Sequence, residues 1–527
     1  VSAHGRLFYI FDEGPTDSIQ LPSRWRLIAR DAFNGTLLWK RNIPQWNTRH
    51  YPLKSGPAHL PRRLVAVGDR VYVTLGIDAP LQALDAATGD TIATYPDSEH
   101  TREIVISDGT AFLVADEANS RLPEFRRVST YVWENTRTAN RDWGWHGRER
   151  RILAYDLSSG RRRWAATAPV APCSLAVAED RAVFQNGEKL VCLDRETGER
   201  LWQSEEAPTR MPVQTNTGPR IVIYDGIVLY AGNTGTMSGW SLKDGTKLWE
   251  SPHRPSGHLS LKDLFVVRGL AWTGNIAGNK SDGIFTGYDP KTGQSVREFA
   301  PDVDLHWFHH RCYPAKAAGK YLITARNGTE YVDLEAEHWN PNHWVRGGCI
   351  YGVMPCNGFT YASMHSCGCQ LEAKLTGFNA LAAGPVPQPT PDTMTPAVRL
   401  EKGPAYKDAD GPAAAPQDWP TYRHDNGRSG ATDAPLPDRL SLAWTADVGG
   451  RLSALTAAAG TVFVADIDSH TVHAIDADTG RKNWSFTAGG RVDSPPTYWN
   501  GMVFFGSLDG YLYALRAADG ALAWRFR

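Results

Sequence analysis

Short apolar runs with strand-like alternation recur along this chain, and each is closed by a polar turn of fixed form. The commonest phrase is an apolar strand, an Asp, a turn ending in Gly, and a Trp four residues after the Gly. It runs as LIARDAFNGTLLW to Trp39, ILAYDLSSGRRRW to Trp164, LVCLDRETGERLW to Trp202, SGWSLKDGTKLW to Trp249, HAIDADTGRKNW to Trp484 and LYALRAADGALAW to Trp524. Weaker copies surround Gly89 and Gly293, where Ala93 and Arg297 stand in the Trp position, making eight copies in all. Gly supplies the positive φ of a tight turn, Asp can accept bonds from the turn amides, and Trp offers a large ring to a neighbouring unit. Each copy therefore reads as strand, turn, strand.

A second strand pair precedes most copies, as in RLVAVGDRVYVTLG (Arg63 to Gly76), RIVIYDGIVLYAG (Arg220 to Gly232) and AAGTVFVADIDSHTVHAID (Ala458 to Asp476). About four strands per unit, none able to bury both faces alone, predicts an all-β fold of β-propeller type with the Trp rings buried between units.

The phrases closely resemble the tryptophan-docking repeat of quinoprotein-type propellers, the superfamily of PQQ-dependent alcohol dehydrogenases and the barrel-assembly lipoprotein of the outer membrane. That resemblance covers most of the chain. It implies an eight-bladed propeller in an extracytoplasmic protein, periplasmic or secreted. Residues 305–384 read as a further, heavily elaborated blade within a propeller segment of residues 1–384. A Pro- and Ala-rich linker follows at 382–418, and residues 419–527 either supply the remaining blades that close the ring or begin a second module. The phrase WPTYRHDNGRSG, Trp419 to Gly430, resembles the stretch that opens such repeat arrays, so Arg423, His424 and Asp425 read as an ordered turn before they read as catalytic.

Composition narrows the partners. With 56 basic and 57 acidic residues among 527 the net charge is −1, which gives no global field for nucleic acid. No apolar run approaches the roughly 18 residues of a membrane span. Val1 to Gly5 lacks the regions of a signal peptide, and the immediate strand-like run Arg6 to Phe11 suggests that a leader or upstream segment was removed.

The quinone itself is not expected. The dehydrogenases that these repeats resemble carry adjacent cysteines in a strained disulfide ring with acidic and amide ligands for Ca²⁺, whereas the nearest approach here is Cys367-Gly368-Cys369, and no CxxCH marks a haem.

Candidate chemistry concentrates in the elaborated blade. HWFHHRCY, EHWNPNHWVRGGC and MPCNGFTYASMHSCGC bring six His and five Cys into one segment of a chain with sixteen and seven in total. The segment resembles an extended subgroup of bacterial quinoprotein-like repeat proteins through HHRC, NHWVRG, MPxNG and HxCxC, a resemblance that implies no particular activity. Two readings of the cysteines stay open. One is a pair of disulfides drawn from Cys312, Cys349, Cys367 and Cys369, with Cys356 left over. The other is a Zn²⁺ or copper site of His365, Cys367 and Cys369 joined by Cys312 or a histidine, since alternation along a strand points all three of the HxCxC side chains to one face. His309, His310 and His343 are candidate acids and bases, Arg311 and Arg346 candidate stabilisers of a carboxylate or oxyanion, and Tyr351 a further catalytic candidate. His306 and His338, each beside a Trp, read as packed.

A second unusual stretch runs from Ser120 to Arg151. Between Arg121 and Arg163 eleven arginines face five acids, with aromatic residues interleaved. Arg141, Trp143, Trp145, His146 and Arg148 are therefore expected to bind a carbohydrate or other anionic substrate, guanidinium against carboxylate or sulfate and indole against the sugar face; a solvated charged loop is the alternative.

Three functions fit. The clustered His, Arg and Cys suit an extracytoplasmic enzyme acting on an anionic polysaccharide, lyase-like and metal-dependent. A scaffold that grips protein or glycan through its loops, as the barrel-assembly relative implies, needs no titratable cluster. A PQQ-type dehydrogenase is the third. The sequence does not decide whether the protein is an enzyme.

Overall fold

The computed structural model describes residues 1–527 except 16, 19, 51–55, 255, 257–260, 277–280, 304–312, 327, 365–374, 376 and 385–398, and only the backbone of Val132. The chain forms two units, residues 1–29 with 40–383 and residues 30–39 with 384–527.

The first unit is a succession of antiparallel sheets whose strands pair with their nearest neighbours in sequence. Sheet 1 runs from Ser2–Ala3 to Leu37–Ile43, with its hairpin tip grouped in the second unit, and sheet 2 from Leu64–Val67 to Thr91–Thr94. Sheet 3 consists of Thr101–Ser107, Thr110–Ala115, Glu149–Asp156 and Arg162–Pro169. Sheets 4 to 7 begin at Ala176–Ala178, Arg220–Tyr224, Phe265–Val267 and Lys316–Ala318 and end at Arg200–Glu206, Lys247–Pro252, Ser295–Phe299 and His338–Asn342. Sheet 8 has three strands among the described residues, Met354–Cys356, Phe359–Ala362 and Asn379–Ala382. It lies beside sheet 1: the Tyr9 and Phe378 rings are 5.2 Å apart, and Asn357 Nδ2 donates to Ser2 Oγ at 2.9 Å. The loops entering sheets 2, 4, 6 and 8 bring Ala58, Cys173, Leu261 and Ile350 into one buried cluster, as a radial arrangement requires. The fold is an all-β propeller.

The repeated phrase explains how sheets stack. Trp164, Trp202 and Trp249 are buried, and each indole Nε1–H donates at 2.9 Å to a carbonyl of the next sheet's turn, on Arg195, Leu242 and Pro290 respectively. The same rings cover the turn glycines Gly198, Gly245 and Gly293, so closely that a Cβ at any of them would meet the ring at 2.6 Å or less. In the weaker copy at Gly293, Arg297 takes the Trp's place and donates instead to Glu337 Oε1 at 2.7 Å and the Glu335 carbonyl at 2.9 Å.

The second unit repeats the scheme. Sheet 9 runs from Thr456–Ala458 to Lys482–Thr487. Sheet 10 runs from Thr497–Trp499 to Leu522–Phe526, and Leu400–Lys402 pairs along its outer edge. Trp484 docks on Gly520 and donates to the Ala517 carbonyl at 2.8 Å. Trp444, outside the phrases read from the sequence, docks on Gly480 and donates to the Ala477 carbonyl at 2.9 Å. The stretch Trp419 to Gly430 closes on itself: Arg423 and His424 adopt positive φ, Asp425 accepts from Ser429 Oγ at 2.5 Å, and the His424 ring stands edge-on to Trp419. Among the described residues no helix is long and apolar enough to cross a membrane.

Candidate functional site

The Arg- and Trp-rich stretch is an insertion between the second and third strands of sheet 3, and its roots are its best-defined part. Asp116 follows the strand Thr110–Ala115, and Arg150 stands at the start of Glu149–Asp156. The two ends of the insertion are clamped by Arg150 Nε to Asp116 Oδ1 at 2.8 Å, while Asp116 Oδ2 accepts from Arg102 Nε at 2.7 Å. Arg102 also reaches Asp78 on sheet 2 at 3.3 Å, Arg62 pairs with Glu103, and Arg63, fully buried, donates to the carbonyls of Ile77 and Thr101. Burial alone raises the Asp116 carboxyl, but Arg150, Arg102 and Arg148 together outweigh it and hold the group well below the usual carboxylate range. Burial and then the neighbouring Arg102 push the Arg63 guanidinium in the destabilising direction, downwards. Asp116 is thus a buried charge held by its arginines, whereas Arg63 rests on the carbonyls it donates to.

On this foundation the insertion is ordered. Asn135, buried, accepts from the Val128 and Ser129 amides and donates to the Ser129 and Tyr131 carbonyls, shaping the chain ahead of helix α1, Val132–Trp143. Asn140 Oδ1 accepts from the amide and hydroxyl of Thr215 at 3.1 and 3.0 Å, tying the helix to the loop ahead of sheet 5. What remains outside is basic and partly apolar: Arg126 and Arg127 are exposed, as are Val128 at 61% and Tyr131 at 59%. Partial burial and then the charges of Arg126 and Arg127 lower the pKa of the adjacent His50, so the surface owes its charge to arginine.

The expected substrate residues divide accordingly. Trp145 is 1% exposed, its Nε1–H donates to the Arg148 carbonyl at 2.9 Å and its backbone bridges to Val213, so the ring is spent on packing. Trp143 is half-buried with its ring edge-on to Phe125 at 4.8 Å. Arg141, His146 and Arg148 are exposed; Arg141 pairs with its neighbour Asp142, and Arg148 lies 3.8 Å from Asp116.

In the elaborated blade, His306, His309, His310, Arg311, Cys312, His365, Cys367 and Cys369 lie outside the described residues. His343 is exposed, whereas Arg346 is buried over the Tyr313 ring at 5.6 Å. Tyr351 is half-buried and burial drives its hydroxyl pKa upward. His338 bonds Asp302 at 2.5 Å. Among the described residues no disulfide forms and no three His, Cys, Asp or Glu side chains converge as a metal-ligand set. Cys173 and Cys192 are buried thiols, the latter pushed up to about 12 by burial. The chain has no adjacent cysteines, and the Asp116 and Glu103 carboxylates are each paired with arginine.

The charged foundation was not legible in the sequence, because Asp78, Arg102, Asp116 and Arg150 are scattered over more than seventy residues and meet only once sheets 2 and 3 stack. The one available signal was the pair of charged residues bracketing an insertion.

The profile of the family described as outer membrane protein assembly factor BamB matches residues 23–299 and 438–527. The outer membrane protein assembly factor BamB of Burkholderia pseudomallei (strain K96243) is 24% identical over 255 residues, which cover 44% of this chain and 63% of that protein. The crystal structure of BamB from Moraxella catarrhalis aligns with 12% identity over 88% of this chain and 96% of that one, at a TM-score of 0.36. A europium-containing methanol dehydrogenase aligns with 11% identity over 68% and 80%, at 0.42.

Proposed function

The chain belongs to the outer membrane protein assembly factor BamB family, and from that premise we propose that it is an extracytoplasmic binding and assembly scaffold that holds an acidic polypeptide on the insertion of its first unit. One observation carries the reading: Arg126, Arg127, Val128 and Tyr131 stand exposed on a platform fixed from below by Asn135 and by the clamp of Asp116 with Arg102 and Arg150. Exposed guanidinium beside aromatic and aliphatic surface, held rigidly, is what an acidic and partly apolar partner needs, since little ordering remains to be done on binding. A polysaccharide would ask for exposed indole faces, and Trp145 is committed elsewhere. We also read the eight sheets of the first unit as one ring and residues 419–527 as the beginning of a second module.

The test is anisotropy of a labelled peptide alternating Glu and Phe, against an acidic oligosaccharide of equal charge. The peptide should bind more tightly, weaken as salt rises from about 50 to about 300 mM, and lose affinity on the order of tenfold with Arg126→Glu/Arg127→Glu. Equal binding to the double variant, or preference for the oligosaccharide, would sink the scaffold reading.

A further inference from the structure

Among the described residues two turn glycines of the repeated phrase, Gly35 and Gly160, carry no Trp ring, and the seat at Gly160 can be compared directly with its filled neighbours. In sheets 3, 4 and 5 the fourth strand presents a Trp opposite a small residue of the third, Ala154 with Trp164, Cys192 with Trp202 and Gly239 with Trp249, and each indole covers the turn glycine of the next sheet. In sheet 2 the same register pairs Ala83 with Ala93. Ala93 has no ring to send to sheet 3. The turn it faces, Asp156 to Gly160, is built like the others: Gly160 has φ +70° and Asp156 Oδ1 accepts the Ser158 and Ser159 amides at 3.1 and 2.9 Å. A Cβ on Gly160 would meet nothing within 4 Å, whereas Gly198, Gly245, Gly293, Gly480 and Gly520 are all covered by a Trp ring. The other copy without Trp is not open, because Arg297 fills it.

A solvent-open cavity of about 710 Å³ lies at this position, lined by Tyr72 of sheet 2 and by Ile106, Gly109, Leu157 and Arg163 of sheet 3. The docked indoles all donate to the carbonyl three residues before their glycine: Arg195, Leu242, Pro290, Ala477 and Ala517. Here that carbonyl belongs to Leu157, which lines the cavity. The five filled seats thus specify what this one would hold: an indole ring lying on Gly160 with its N–H on Leu157 O.

We infer that the groove between sheets 2 and 3 is a docking site for a Trp side chain of a partner polypeptide. A polypeptide is the source because four of the five filled seats take their indole from a strand, those of Trp164, Trp202, Trp249 and Trp484, and the strand beside this groove, Thr91–Thr94, is the outer strand of its sheet with Ile92 46% exposed. The site is separate from the basic insertion and does not depend on what that surface holds.

The experiment uses the full chain and a labelled peptide copying its own docking strand, residues 198–206, GERLWQSEE. The peptide should bind, its Trp→Ala form should bind at least about tenfold more weakly, and Ala93→Trp, which seats an indole from within, should abolish binding and raise the thermal midpoint. Equal affinity of the two peptides overturns the site, as does undiminished binding to Ala93→Trp. N-acetyltryptophanamide binding as tightly as the peptide would overturn the polypeptide source in favour of a free indole compound.

Discussion

At the scale of the residue, the fold rests on a glycine and an indole that need each other. Gly245 has φ +76° and a Cβ there would stand 2.5 Å from Trp202 Cε3; Gly226 has nearly the same φ, +72°, with open space around it. Both replacements by Ala meet the left-handed penalty of about 1–2 kcal/mol, and only Gly245→Ala adds the overpacking of a filled seat, roughly 1–3 kcal/mol more. Gly245→Ala should therefore shift the urea midpoint to about twice the extent that Gly226→Ala does, at unchanged slope. Equal shifts would show that the ring gives way and that docking contributes little. The phrase was readable in advance because its own Gly and Trp lie four residues apart, whereas the pairing itself joins each Trp to the Gly of the following copy, as Trp202 is joined to Gly245. Trp444 escaped because no Asp-turn-Gly precedes it and it lies outside any strand, so nothing nearby announced a docking residue, although its partner Gly480 is no farther along the chain than Gly245 is from Trp202.

At the scale of the element, the insertion shows where local reading stops. Its arginine excess and aromatic residues were plain, and they mark a surface, but helix α1 was not anticipated. VWENTRTANRDW contains Thr and Asn of weak helix propensity, and Tyr131 at its start offers no side-chain cap. Such a helix stands by tertiary bonds. Asn135 makes four of them to the backbone of residues 128–131, and Asn140 two to Thr215. Asn135→Ala leaves two amides and two carbonyls to find water, a local cost of about 2–3 kcal/mol. Amides of Val132–Trp143 should then exchange on the order of tenfold to a hundredfold faster, while those of Thr110–Ala115 and Glu149–Asp156 keep their protection. Loss of protection throughout sheet 3 would mean that the insertion and the sheet open as one body. The elaborated blade gave the opposite difficulty: its His and Cys clusters were conspicuous as composition, yet a composition cannot say which side chains converge, and of those described Arg346 is turned to packing against Tyr313 while His343 faces solvent.

At the scale of the whole first unit, stability should carry a pH signature set by one carboxylate. Asp116 joins the sheet 3 strand that opens with Thr101, the strand Glu149–Asp156 and, through Arg102, the Asp78 loop of sheet 2. Its folded-state pKa is depressed, because three arginines outweigh the burial that would raise it. A depressed carboxyl contributes fully above its unfolded value, near 3.9, and progressively less as pH falls below it, since the unfolded chain then takes up a proton that the folded one still refuses. Asp116→Asn replaces one of the two acceptor oxygens that face Arg102 and Arg150 by a donor and leaves buried cations without their counter-charge, which costs about 3–5 kcal/mol at neutral pH. The gap between wild type and Asp116→Asn should stay constant from about pH 7 to about pH 5, then narrow by roughly 1.4 kcal/mol for each pH unit below 3.9. Chemical denaturation across that range measures it. A gap that does not change down to pH 3 would mean that the Asn amide replaces the lost bonds and that the arginines are neutralised elsewhere. A gap that widens as pH falls would reverse the sign and place the Asp116 carboxyl above its unfolded value in the folded protein. The expected narrowing would instead identify this clamp as the point where the stacking of sheets 2 and 3 and the anchoring of the basic insertion share one interaction, so that acid loosens the fold and the binding platform together.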